Sequence, residues 1–104
     1  MKIVHTTGPV NTQHLKAFLE NNLNTRFKEN RHMDMDLEYV DTENGLEIKL
    51  PELYDSFLFE IHLVNGNELH VAKSEHFVND VNALTIEEIL NSLLLDYSNK
   101  ENNV

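Results

Sequence analysis

The alternation in Met33 to Leu50, MDMDLEYVDTENGLEIKL, restricts the fold more than any other stretch of the chain. Met33, Met35, Leu37 and Tyr39 alternate with Asp34, Asp36 and Glu38, the period of two expected of a strand with one dry and one wet face. Asn44-Gly45 then predicts a two-residue type I′ hairpin loop, because both central residues need positive φ and this pair tolerates it best. That loop sets Glu43 opposite Leu46, Asp41 opposite Ile48 and Tyr39 opposite Leu50, so the apolar sets of both strands share a face. A one-residue slip would break the agreement. The other face carries Asp34, Asp36, Glu38 and Glu47, with Val40 paired to Lys49.

The rest of the chain supplies partners for this hairpin. Lys2 to Thr6 reads as a short strand through Ile3 and Val4, closed by Gly8-Pro9. Leu15, Phe18, Leu19, Leu23 and Phe27 recur at helical spacing and predict a helix over 12–29, with Asn11 or Thr12 as its N-cap. Arg26, Lys28, Arg31 and His32 gather at its end, where the helix dipole favours cations. Phe57, Phe59, Ile61 and Leu63 alternate with Leu58, Glu60, His62 and Val64 in a third strand, and Leu69 and Val71 with Glu68, His70 and Ala72 in a fourth. A two-residue loop would set Ile61 against His70. A three-residue loop, Asn65 to Asn67, instead pairs Leu63 with Leu69 and Ile61 with Val71, with Asn67 in the left-handed conformation. His62 and His70 then face each other on the wet side, flanked by Glu60 and Glu68.

Ser74 to Ala83 reads as a polar loop or short edge strand anchored by Phe77, Val78 and Val81. Thr85-Ile86-Glu87-Glu88 fits a capping box, with Leu84 and Ile89 at the staple positions, and Ile86, Ile89, Leu90, Leu93, Leu94 and Tyr97 form one apolar face. Beyond Tyr97 nothing apolar is left to bury until the last residue, which predicts a single domain over 1–97 and a disordered tail over 98–104. The expected architecture is α+β: an antiparallel sheet of two consecutive hairpins, plus the short N-terminal strand, with the N- and C-terminal helices packed on one face. Its core comprises Leu15, Phe18, Leu19, Leu23, Phe27, Ile86, Ile89, Leu90 and Leu93 against Leu37, Tyr39, Ile48, Leu50, Phe59, Ile61, Leu63, Leu69 and Val71. The opposite face stays open, its acids mixed with Val40, Leu58, Val64 and Ala72.

Charge adds the functional hint. The formal net charge is -10, yet residues 1–32 carry a surplus of three positive charges, and the 16 acids beyond them meet only Lys49, Lys73 and Lys100. Such a body repels nucleic acid and anionic membrane and steers basic partners towards itself. Cysteine is absent, which removes disulfides and thiolate chemistry and fits a reducing compartment; with no signal-peptide core and no spanning apolar run, a cytoplasmic location is expected. With three glycines in all, two of them assigned to hairpin turns, neither a phosphate-cradling loop nor a dinucleotide fingerprint can be built. No serine sits in a nucleophile elbow. Asp34-x-Asp36-x-Glu38 opens like a calcium loop, but Tyr39 stands where the sharp turn needs glycine.

The expected function is a non-enzymatic protein-binding module without cofactor, an inhibitor or regulator that presents Asp34, Asp36, Glu38, Glu47, Glu60 and Glu68 to a basic surface on a partner. Asp34, Asp36 and Glu38, spaced roughly 6.8 Å apart along a strand, form a carboxylate ladder of the kind that imitates a phosphate backbone, so DNA mimicry is one version. In size, acidity and lack of a catalytic motif the chain is similar in type to small immunity proteins and phage-encoded inhibitors of bacteria. One alternative is a metal-binding protein or small enzyme built on His62 and His70. The other is an oligomeric subunit, such as a homodimer formed through an exposed sheet edge.

Overall fold

A computed structural model describes residues 2–77 and 79–101 of the 104-residue chain. Asn11 starts the first helix, α1 (Thr12–Arg31): its Oδ1 accepts from the backbone N–H of Gln13 at 2.9 Å and of His14 at 3.2 Å. The helix runs two residues further than expected and ends at His32, whose φ of 53° is left-handed and whose N–H donates to the Lys28 carbonyl. Leu15, Leu19, Leu23 and Phe27 are buried along one stripe of α1.

Beyond His32 the expected strand begins late. Only Glu38–Thr42 forms β2, and Met33 to Leu37 is an unpaired connection. Burial still alternates, with Met33 and Met35 packed against the core and Leu37 buried, but the Leu37 N–H finds the Asn24 side chain, at 2.9 Å, instead of a strand. Extending the ladder would set Leu37 opposite Leu50 and Asp36 opposite Pro51. Proline has no N–H to give, and the chain turns there, with Leu53 and Tyr54 both donating to the Leu50 carbonyl. Tyr39 ties β2 to α1 through its hydroxyl, 3.2 Å from the Leu19 carbonyl; burial first, then Glu20 and Asp36, push this phenol up from its ordinary pKa.

The first hairpin pairs β2 with β3 (Gly45–Lys49), and Tyr39 faces Ile48 rather than Leu50. Its loop is Glu43-Asn44, between the paired Thr42 and Gly45, and none of these residues has positive φ, which excludes the type I′ turn. The slip is an even number of residues, so the apolar face survives. Gly45 is needed for another reason: a Cβ there would overlap the carbonyl oxygen of Ile61 on the next strand. The second hairpin, β4 (Phe59–Val64) and β5 (Glu68–Lys73), has the expected three-residue loop and pairs Ile61 with Val71, Leu63 with Leu69 and His62 with His70. Asn65 and Gly66, not Asn67, take positive φ. The loop is held from outside, because the Gly66 and Asn67 carbonyls accept the N–H groups of Val10 and Thr6, each at 2.9 Å. The N-terminal strand β1 (Lys2–His5) pairs antiparallel with β5, giving one five-stranded antiparallel sheet of order β1-β5-β4-β3-β2.

A 3₁₀ turn at Glu75–Phe77 leads into the last helix, α2 (Val81–Glu101). Phe77 packs on Tyr54 with ring centroids 4.6 Å apart; Val81, expected as an anchor, is 57% exposed, and Val78 lies outside the described residues. The helix starts one turn before the expected capping box. Asp80 is the cap: its carbonyl accepts the Leu84 N–H and its Oδ1 the Ala83 N–H, while the Tyr54 hydroxyl donates to the same carboxylate at 2.5 Å. Desolvation alone would raise the Asp80 carboxyl, but the Tyr54 hydroxyl, the Ala83 and Asn82 N–H groups and Arg31 together hold it below its ordinary value. Thr85 instead donates back to the Val81 carbonyl at 2.9 Å. Asp80→Ala is therefore expected to cost about 1 kcal/mol and Thr85→Ala less than about 0.5 kcal/mol by urea unfolding, the reverse of what a Thr85 cap requires.

Helix α2 continues through Ser98, whose hydroxyl donates to the His5 carbonyl at 2.9 Å, to Glu101; the expected tail over 98–104 is thus helical as far as Glu101, and 102–104 lie outside the described residues. Both helices cover the same sheet face and meet each other, with the Phe18 and Tyr97 rings 5.2 Å apart. The expected core is buried between them, with Phe18, Leu63 and Ile89 at its margin. Leu58 is a correction: expected on the wet face, it is 1% exposed. It precedes β4, outside the regular pleat, and turns inward.

Candidate functional site

With both helices on one side, the outward residues of the five strands form a solvent-facing surface whose rows follow from the register. Glu38 lies opposite Lys49. Val40, Glu47, Glu60 and Ala72 make the next row, and Thr42, Gly45, His62, His70 and Ile3 the one after. Val64, Glu68 and His5 make the last. Four of the six expected acids are therefore on this face, against one lysine, which leaves three negative charges while the imidazoles are neutral.

Asp34 and Asp36 are not among them. They project from the connection before β2 and meet Lys28, whose Nζ lies 2.6 Å from Asp36 and 4.0 Å from Asp34. The hydrogen bond to Asp36 raises the Lys28 pKa from its ordinary value, against the opposing effect of burial. No strand carries the Asp34, Asp36 and Glu38 ladder on which DNA mimicry depended. The carboxylates on the sheet face run across it instead, one on each strand from β2 to β5.

At the centre of that run Glu47 and Glu60 are directly opposed on neighbouring strands, with side chains only 25% and 28% exposed. Like charges placed so destabilise a sheet. Lys49 offers partial relief, its Nζ 3.9 Å from Glu47. Beside them His62 and His70 face each other as expected, but each ring is held by its own strand. The His62 Nε2 lies 2.8 Å from Glu60 and the His70 Nε2 3.1 Å from Glu68. Glu60 sits opposite Ala72 and Glu68 opposite Val64, at opposite ends of the ribbon, so the two imidazoles lean apart. The hydrogen bond from His70, with a second from Asn65, keeps the Glu68 carboxyl below the usual glutamate value.

Divergent rings do not converge on an ion. Among the described residues no group of three or more histidine, aspartate and glutamate side chains is arranged to hold a metal. The depression beside the rings, lined by Glu60, His62, Val64, His70 and Ala72, measures about 220 Å³ and is open to solvent. Elsewhere, a cleft of about 260 Å³ between the sheet and α2 contains Lys73, already paired with Glu87 at 3.2 Å.

The sequence signal for the His–Glu pairs is the repeat Glu60-Ile61-His62 and Glu68-Leu69-His70: at a period of two, each glutamate and its histidine share a face. His5 could not be found that way. It joins the face because β1 pairs with β5 and sets it opposite Glu68. No helix among the described residues is long and apolar enough to cross a membrane. Comparison of the chain with protein-family models, curated proteins and solved structures finds no match.

Proposed function

We propose that this protein is a non-enzymatic binding module, an inhibitor or regulator, that offers its open sheet face to a basic surface on a protein partner. The observation that carries this reading is the opposed pair Glu47 and Glu60 in the middle of an uncovered face, with Lys49 as the neighbouring cation. A sheet gains nothing from such a pair, whereas an incoming lysine or arginine relieves the repulsion and is steered in by the surrounding charge. Asp34 and Asp36, engaged with Lys28, are secondary to it.

A deca-lysine peptide titrated at pH 7.5 and low salt, followed by amide chemical shifts, tests the reading. The shifts should centre on β3 and β4. Glu47→Gln should weaken binding several-fold and at the same time stabilise the fold by about 0.2–1 kcal/mol, while Asp34→Asn with Asp36→Asn leaves the affinity nearly unchanged. Shifts centred on Asp34 and Asp36, or a Glu47→Gln variant that is less stable and binds as well as before, would overturn it.

A further inference from the structure

We propose that the twin Glu-x-His pairs make this face acid-releasable, so that a basic partner held at neutral pH is let go as the pH falls towards 5.5. The inference rests on the functional reading above and deepens it. Imidazole is the side chain whose charge changes between about pH 5 and 8, and three imidazoles stand on this one face. The charged and titratable groups that face one another here are His5 on β1, Glu68 and His70 on β5, Glu60 and His62 on β4, Glu47 and Lys49 on β3, and Glu38 on β2. Both helices lie on the other side of the sheet.

With the imidazoles neutral the face carries three net negative charges. With all three protonated it carries none. The geometry makes the loss local: two of the new positive charges appear on rings bonded to Glu60 and Glu68, at 2.8 and 3.1 Å, and the third stands opposite Glu68. Together they take over two carboxylates, Glu60 and Glu68, that a partner cation would need. Glu68 stays ionised through this window, because the His70 and Asn65 hydrogen bonds stabilise its charged form. Attraction is therefore lost by masking the carboxylates, and the fold is left intact.

Deca-lysine is a suitable probe, since lysine, ordinarily titrating near pH 10.4, keeps its charge over this range. Its affinity for the full chain, measured at constant ionic strength, should fall about tenfold between pH 7.5 and 5.5, the sum of three exposed charge interactions. The variant His5→Gln, His62→Gln, His70→Gln should reduce that ratio below about twofold. A control variant, His14→Gln, His32→Gln, His76→Gln, should keep it, and unchanged circular dichroism at pH 5.5 should show all three proteins folded. Equal affinity at the two pH values, or a tenfold loss that persists in the first variant, overturns the inference while leaving the binding face standing. Failure to bind at pH 7.5 overturns the functional reading and this inference with it.

Discussion

Gly45→Ala is expected to cost at least about 3 kcal/mol. Gly45 pairs with Thr42 on one side and with His62 on the other, so it sits inside the sheet rather than in the loop. A Cβ at this position overlaps the Ile61 carbonyl oxygen and comes within 2.9 Å of its carbonyl carbon and 3.1 Å of the His62 Cα. All three atoms are backbone, and no change of rotamer relieves the overlap. β3 and β4 cannot simply part either, because the Leu63 N–H is bonded to the Asn44 carbonyl at 2.7 Å just beyond the contact. Gly66→Ala is the comparison. At a φ of +80° with nothing within 4 Å, it should lose only about 1–2 kcal/mol, for backbone strain alone. Urea unfolding of the two variants ranks them, and a smaller loss for Gly45→Ala than for Gly66→Ala would contradict the close approach of β3 and β4.

Leu58→Ala should cost about 2–5 kcal/mol, as a buried leucine does when its removal leaves a cavity. Alternation along β4 assigns Leu58 to the wet face with Glu60 and His62, where the same change is worth within about 0.5 kcal/mol. The structure buries it: the Leu58 N–H donates to the Ile48 carbonyl at 2.8 Å and its own carbonyl accepts the Ser74 N–H at 2.9 Å, which pins the residue between β3 and the end of β5. Val64, on the wet face and paired with Glu68, supplies the control, and Val64→Ala should be nearly neutral. If chemical denaturation finds the two equal, Leu58 belongs to the outer surface and adds a leucine to its apolar residues.

These two residues show how far local pattern reaches. Strand parity was legible because burial follows it even where pairing does not: Met33, Met35 and Leu37 face inward along a connection that belongs to no sheet. The second hairpin was legible because only one loop length reconciles Ile61 and Leu63 with Val71 and Leu69. That register alone placed His62 against His70. The first hairpin was legible as to face but not as to partner, since Asn-Gly is a strong turn signal only where positive φ is what the glycine supplies. Here it supplies room for the backbone of β4, and β4 is absent from any local window.

The candidate site divides along the same line. Glu38, Glu47, Glu60 and Glu68 share a face as their spacing requires, and each histidine's partner could be read from the repeated Glu-x-His. Asp34 and Asp36 leave the sheet because β3 stops at Lys49, just before Pro51, a constraint from a segment downstream in sequence. His5 enters because β1 returns to the edge of β5. α2 starts at Val81 because Asp80 caps it, and Tyr54, a residue distant in sequence, holds that carboxylate in place. Side-chain periodicity follows from the geometry of a single strand or helix and is written residue by residue, so it survives in the chain read alone. Which strand lies beside which, where a ladder ends and which polar group finds its partner are set by approaches between distant segments, and those exist only once the backbone has folded.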